Sequence, residues 1–311
     1  GGLYGKEEYW RKAEEHASLV IDGKVGDYRL EKTVGDMVNN TLGPVRNSSE
    51  TIFSIAVNNQ DDDRRAQVEF YSIYPGQALI NYPYLTNDLR ELEKSGYIKM
   101  LVTTVEEIFP EKTDTRRVEF WKDLGKQKID SMLVWDEEIG DFKQEYIYSE
   151  YAFINKWNKP YYSTDQTVIE HLGGVAPLLV MEGDRVVWRL ADLILLRAEC
   201  RARLKMATAK DDLDVIRERA GLGKYAGSGT ADMEELRKEI FHERERELFG
   251  EGQRYYDIVR NGYFRDELSA AYKSLTDADV KDGALYLPVA RNSFEKNTLL
   301  KQNNYWLWHQ Q

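Results

Sequence analysis

The residues best suited to chemistry are aromatic, and they cluster in the middle of the chain. Tyr82-Pro83-Tyr84, Trp135, Trp157 and Tyr161-Tyr162 lie among Asn81, Asn87, Asn155, Asn158, Asp165 and Gln166. Flat rings stack on the C–H faces of sugars, while amides and carboxylates take ring hydroxyls in fixed directions. Carbohydrate recognition needs that mixture. The same rings would equally seal a strand-poor subdomain under its loops, and no motif singles out which ring does which. Tyr82, Tyr84, Trp135, Trp157, Tyr161 and Tyr162 are therefore the candidate ligand-binding residues.

Other constellations read as structural. The run Glu243-Arg244-Glu245-Arg246-Glu247 invites a catalytic reading. On a helix, however, its spacing sets Glu243 beside Arg246 and Glu247, and Arg254 beside Asp257 and Ile258. Such ladders are worth about 0.2–0.5 kcal/mol per exposed pair. Their expected role is to fix helix to helix, in part through a partly buried Arg–Glu pair; Arg189, Arg197 and Asp192 read the same way. A glycosidase would need two carboxyls facing each other across a sugar. Among 54 acidic residues, spacing alone cannot show that convergence.

Metal and nucleophile patterns are weaker still. His16, His171, His242 and His309 have no HxH or HxxxH spacing, and there is no cysteine cluster. Asp61-Asp62-Asp63 lacks the alternating ligands and glycine turn of a calcium loop. No G-x-S-x-G occurs. Gly250-Glu251-Gly252 has neither the leading strand nor the following lysine of a phosphate loop. No catalytic residue, metal site or cofactor is expected.

The elements that must position these residues centre on Val186 to Gly262, which reads as three or four amphipathic helices with short connections. In Trp188 to Cys200, positions 190, 193, 194 and 198 share one face of a 3.6-residue period, and Ala191 and Ala198 permit close helix approach. Asp211 to Ala220 sets Leu213, Ile216 and Ala220 on one side and stops at Gly221-Leu222-Gly223. A third helix follows Thr230, with Asp232, Glu234 and Glu235 in its first turn and Met233, Leu236, Ile240 and Phe241 facing inward. Lys6 to Ile21 is another amphipathic helix, ended by Asp22-Gly23. Ser48 to Val57 is β-branched and aromatic, the pattern of a short strand. From Asn58 to Gly183 no long period is sustained, although Leu85–Ser95 and Thr104–Phe109 read as short helices. A further helix is expected over Asp266 to Leu275, and a short extended piece over Leu285 to Val289.

The bulk numbers bound the answer. At 311 residues the chain can bury a sizeable core. Its net charge of -11 and lack of a basic stripe argue against nucleic acid as a partner. Cys200, the single cysteine, reads as a buried structural thiol. No run approaches the ~20 apolar residues of a membrane span. The chain opens Gly1-Gly2, with no signal-peptide pattern or lipidation cysteine at its start.

Four segments, taken in order, carry a resemblance: "RLADLILLRAE", "LDVIRERAGL", "LRKEIFHERERELFGEGQRYYDIVRNG" and "LYLPVARNSFEKNTLLKQNNY". Together they resemble the C-terminal half of the SusD/RagB family, outer-membrane nutrient-binding lipoproteins of Bacteroidetes. "YWRKAEEHASLVIDGKVGDYRL" resembles the last N-terminal helix of that fold, and Asp114-Thr115-Arg116-Arg117 with Phe120 resembles its D-x-R turn. The family often ends NP-x-L-x-QNPGY; here Asn297 to Tyr305 keeps the frame without the prolines.

The resemblance implies a mostly α fold, a tetratricopeptide-like helical scaffold carrying an irregular loop-rich subdomain and a few short strands. Within a single domain over 1–311, residues 1–57 would form a helical piece and short strand. Residues 58–183 would form the ligand-binding subdomain, and 184–311 the C-terminal scaffold. Several helices precede this stretch in the family, so an N-terminal portion is expected to lie outside these 311 residues. The implied function is non-catalytic capture of a nutrient, most often an oligosaccharide, at the cell surface. The protein would be lipid-anchored to the outer membrane, and its partner would be a SusC-like TonB-dependent transporter. The alternatives are a peptide-binding relative, a helical-repeat scaffold for a protein partner, and a glycoside hydrolase.

Overall fold

Helix Leu190–Arg203 is buried on nearly every side, because three other helices pack against it. A computed structural model describes residues 6–56, 100–126, 128–152, 154–174, 176, 178–181, 183–229, 231–297 and 299–309; at 129, 160, 161, 178–181 and 309 it describes the backbone alone. The main helices are α1 (Glu7–Ile21), α2 (Leu190–Arg203), α3 (Ala209–Arg219), α4 (Met233–Glu247) and α5 (Arg254–Asn261). The chain forms two compact units, Leu3–Gly252 and Gln253–Gln311. Their boundary falls inside the stretch that the sequence assigns to the C-terminal scaffold.

In the first unit, α2 touches α1, α3 and α4, which gives a tetratricopeptide-like helical scaffold. Leu190, Ile194, Leu195, Leu213, Ile216, Leu236 and Ile240 form its core. Each such side chain contributes about 1.5–3 kcal/mol by leaving water. The small Ala191, Ala198 and Ala202 are buried among them and let the helix axes approach. Local signals set the helix ends. Glu7 and Glu8 occupy the first turn of α1, pairing with Arg11 and Lys12 one turn on. Asp232 caps α4 by accepting N–H groups from Glu234 and Glu235. Gly221, at φ +78, follows the end of α3 in the left-handed region that a glycine reaches without strain.

A second core lies under the irregular part of this unit, built from Met37, Val105, Phe109, Phe120, Trp121 and Trp157. Among the described residues, four two-stranded antiparallel ladders accompany these cores. The longer ones use β1 (Thr51–Ile55), β2 (Lys128–Asp136), β3 (Asp141–Tyr148), β4 (Pro160–Tyr162), β5 (Leu178–Met181) and β6 (Arg185–Arg189). Strand β1 pairs with β6, whose last residue, Arg189, directly precedes α2. Strands β2 and β3 form a hairpin, and β4 pairs with β5.

The second unit holds α5 and several short helical turns. Gly262, at φ +77, ends α5. The segment Asp266 to Leu275 forms two turns, Phe264–Glu267 and Ala270–Lys273, in place of one helix. Leu268 and Ser269 between them take extended backbone angles, which break the helical ladder. Arg254 pairs with Glu267 at 3.0 Å, and Asp257 is held by Arg260. Gln302 bonds Val289 through both its amide atoms, at 3.0 and 3.1 Å, tying the tail to the extended piece.

Candidate functional site

The β2–β3 hairpin gathers four exposed aromatic side chains, Trp135, Phe142, Tyr146 and Tyr148. Its strands carry Met132, Leu133, Val134 and Trp135 on one side of the turn and Phe142, Tyr146, Ile147 and Tyr148 on the other, the residue types that suit a pleated strand. Asp136 accepts the Glu138 N–H at 3.0 Å, and Gly140 closes the turn at φ +64 by donating to the Asp136 carbonyl at 2.9 Å. The register sets Ser131 opposite Tyr146, Leu133 opposite Gln144, and Trp135 opposite Phe142.

Trp135 and Phe142 meet edge to face, with centroids 5.3 Å apart and planes at 76°. Trp135 is 52% exposed, Phe142 58% and Leu133 70%. Gln144 Nε2 donates to Ser131 Oγ at 2.8 Å, which holds the amide on the same face. Lys128 Nζ lies 3.5 Å from the Tyr146 ring centroid, a cation–π contact at the base of the strip. Lys143 pairs with Asp136 at 3.0 Å and Glu145 at 3.4 Å. Hydrogen bonding to Lys143 lowers the Asp136 carboxyl below its ordinary value, and the same bond raises the ammonium.

Trp157, Tyr161 and Tyr162 lie elsewhere. Trp157 is only 8% exposed and belongs to the second core, with its ring packed against the backbone at Gly250. Tyr161 and Tyr162 sit on β4, aligned with Val180 and Leu178, and Tyr162 is half-buried. Tyr82 and Tyr84 lie outside the described residues, as do Asn81 and Asn87. Two of the accompanying polar residues serve the backbone. Asn155 Nδ2 donates to the Glu119 carbonyl at 3.4 Å, and Asp165 caps the short helix Gln166–His171. Phe142, Leu133 and Gln144, which complete the exposed face with Trp135, were legible only as scattered residues in a stretch with no sustained period.

A second concentration of charge is buried. Arg189 Nη1 donates to Glu50 at 2.8 Å and Glu247 at 2.7 Å, while Nη2 and Nε grip Glu251 at 2.7 and 2.8 Å. Arg116 donates to Asp114 at 2.8 Å and Glu243 at 2.7 Å, and Arg219 reaches Glu50 at 2.7 Å and also Glu247. Lys156 Nζ bonds Glu251 at 2.6 Å and the carbonyls of Glu247 and Phe249 at 3.0 Å each.

Burial opposes the charge of Glu247, but Arg219, Arg189 and Arg116 outweigh it and hold the carboxyl far below its usual range. Glu243 and Glu251 are lowered by the same competition. Burial pushes Lys156 down to about 8, against the pull of Glu251. These carboxylates are ionised, saturated with guanidinium donors and closed to solvent, so the cluster clamps α4 to β6, β1 and the 114–116 turn. The helix-to-helix role expected from the charged run is thus met in a deeper form, with Glu243 and Glu247 fully buried.

Residues 27–306 match the model of the SusD family. Over 125 residues the chain is 30% identical to SusD-like protein P25 of Formosa agariphila, covering 39% of this chain and 24% of that protein. A SusD homolog from Bacteroides thetaiotaomicron shares the fold with a TM-score of 0.64 at 22% identity, over 98% of this chain and 56% of its own. Surface glycan-binding protein A from Bacteroides uniformis gives a TM-score of 0.54 at 20% identity, over 96% of this chain and 57% of its own. The chain therefore spans about a quarter of the first relative and little more than half of the two solved chains.

Proposed function

Because the chain belongs to the SusD family, we propose that it captures an oligosaccharide at the cell surface without cleaving it. In this reading it is lipid-anchored to the outer membrane and delivers its ligand to a TonB-dependent transporter of SusC type. The observation that carries the proposal is the exposed Trp135–Phe142 pair, an apolar ring surface held in fixed geometry beside an amide and a hydroxyl. A sugar needs flat C–H stacking and directed polar groups together, and this face offers both. The name of the Bacteroides uniformis neighbour, a surface glycan-binding protein, points the same way.

The buried charges support a non-catalytic role. General acid catalysis by a carboxyl needs a raised pKa in a place that substrate can reach. Glu243, Glu247 and Glu251 are lowered instead; the first two are fully buried among arginines, and Glu251 is half-buried against Arg189 and Lys156. Asp212 is raised by burial, yet Arg197 and Arg201 clasp it at 2.7 and 3.1 Å where α2 meets α3.

The test is calorimetric titration of the 311-residue chain with a panel of oligosaccharides and a panel of peptides, with each glycan chromatographed after incubation. Saturable heat from a glycan recovered at its original length is the expected result. Binding of peptides alone, or shortened sugar products, would overturn the proposal.

A further inference from the structure

Strand alternation divides the β2–β3 hairpin into two chemically unlike faces. Ser131, Leu133 and Trp135 share one face with their partners Tyr146, Gln144 and Phe142, and none of the six side chains carries a charge at neutral pH. Val134 and Asp136 share the other face with Lys143 and Asp141, and Met132 with Glu145. There Lys143 bridges Asp136 and Glu145. The ionic groups of the rungs from Met132 to Asp136 are thus gathered behind the aromatic strip, and the Lys128 ammonium covers the Tyr146 ring at its base.

The surroundings are acidic. Between 128 and 150 the sequence holds Asp130, Asp136, Glu137, Glu138, Asp141, Glu145 and Glu150 against Lys128 and Lys143. Lys128 lies against Tyr146 and Lys143 is paired, while the chain as a whole carries -11. A polyanion approaching the strip would meet net negative charge. An uncharged ligand meets none of that repulsion, and it finds two rings at 76° that form the floor and wall of an open corner. Successive rungs on one strand face are about 6.6–6.8 Å apart. The strip from Trp135 to Ser131 is therefore long enough for more than one sugar ring.

We infer that this face selects a neutral oligosaccharide, with Trp135 as the stacking floor, Phe142 as the wall and the Gln144 amide taking a hydroxyl. The inference rests on the glycan-capture reading and adds where the sugar lies and what charge it carries. Placing the ionic groups behind the strip is the selectivity device: the neutral face stacks the sugar while the acidic surroundings repel uronates and sulfate esters.

The test uses the 311-residue chain labelled with 15N and follows the Trp135 indole N–H, assigned by its loss in Trp135→Phe. The neutral probes are cello-, malto-, xylo- and manno-hexaose; the anionic probes are an oligomannuronate and a sulfated galactan oligosaccharide. The Trp135 signal is expected to shift saturably with a neutral probe. The affinity should change by less than about twofold between roughly 0.1 M and 1 M salt, where the Debye length falls from about 10 Å to about 3 Å.

Binding of an anionic probe alone, weakening steeply with salt, overturns the inference and leaves glycan capture standing. A neutral glycan bound with the Trp135 signal unmoved does the same. Silence from every neutral probe, with circular dichroism showing the chain folded, also overturns it. A self-associated species in sedimentation that Trp135→Ala dissociates would make a second copy the occupant and sink the neutral-sugar assignment. Binding of peptides only removes the glycan reading and this inference with it.

Discussion

Arg189 and Glu247 are joined twice, by Nη1 to the carboxylate at 2.7 Å and by Nη2 to the Glu247 carbonyl at 2.8 Å, and both residues are almost wholly buried. These two hydrogen bonds tie the last residue of β6, just before α2, to the last residue of α4. Glu50 and Glu251 accept from the same guanidinium. Removing the arginine leaves the buried Glu50 and Glu247 and the half-buried Glu251 short of a donor, a larger loss than the net worth of any one pair. Arg189→Ala is expected to lower the stability of the first unit by about 3–5 kcal/mol in urea unfolding, on the scale of broken buried ion pairs. Arg189→Lys should recover only part of it, since an ammonium lacks the planar fork.

The same cluster predicts an acid limb. Glu243, Glu247 and Glu251 have folded-state pKa values below the ordinary 4.5 of an unfolded glutamate. Their contribution is fully present above about pH 4.5 and is lost progressively as the pH falls towards the folded values. Melting temperature measured from pH 7 down to about 3 should hold to about pH 4.5 and fall steeply below it. Glu247→Gln should start lower at neutral pH and show a shallower acid limb.

Lys156 acts in the opposite direction. Its folded value near 8 lies below the ordinary 10.5, so between those two values the unfolded chain binds the proton more tightly than the folded one. Stability from this group therefore rises with pH across that window. Comparing wild type with Lys156→Met by urea unfolding near pH 7 and again near pH 10, the difference should move in favour of the wild type at the higher pH. A shift towards the variant would contradict the cost of burying that ammonium.

Gly250 has φ +76, and a Cβ built there would stand 2.8 Å from Trp157 Cη2. Gly250→Ala combines a left-handed backbone penalty with a ring that must move out of the core. A loss on the order of 1–3 kcal/mol is expected, with a blue-to-red change in tryptophan emission if Trp157 is displaced towards water.

The helices were legible because their apolar spacing, caps and terminal glycines agree with one another. The buried charge cluster was legible only in pieces. Glu243, Glu247 and Arg189 stood out as paired charges, but Arg116 lies 127 residues from Glu243, and Arg189 lies 139 residues from Glu50. No local period reports such meetings. The hairpin was missed because Met132, Leu133, Val134 and Trp135 are apolar in succession, which erases the two-residue alternation. Trp135 and Trp157 are the same residue in similar company, yet one stands out on a strand at 52% exposure and the other is sealed at 8%. Tertiary packing made that distinction. Composition could not.

Trp135→Ala tests the exposed face most directly, because the ring is on the surface and its removal opens no cavity in either core. The measurement is the calorimetric affinity of wild type and Trp135→Ala for a neutral oligosaccharide that the wild-type chain binds, with urea midpoints recorded for both. The expected result is a loss of at least about tenfold in affinity, roughly 1.4 kcal/mol, with the urea midpoint unchanged. Equal affinities in the two proteins would contradict the assignment of the hairpin as the binding face.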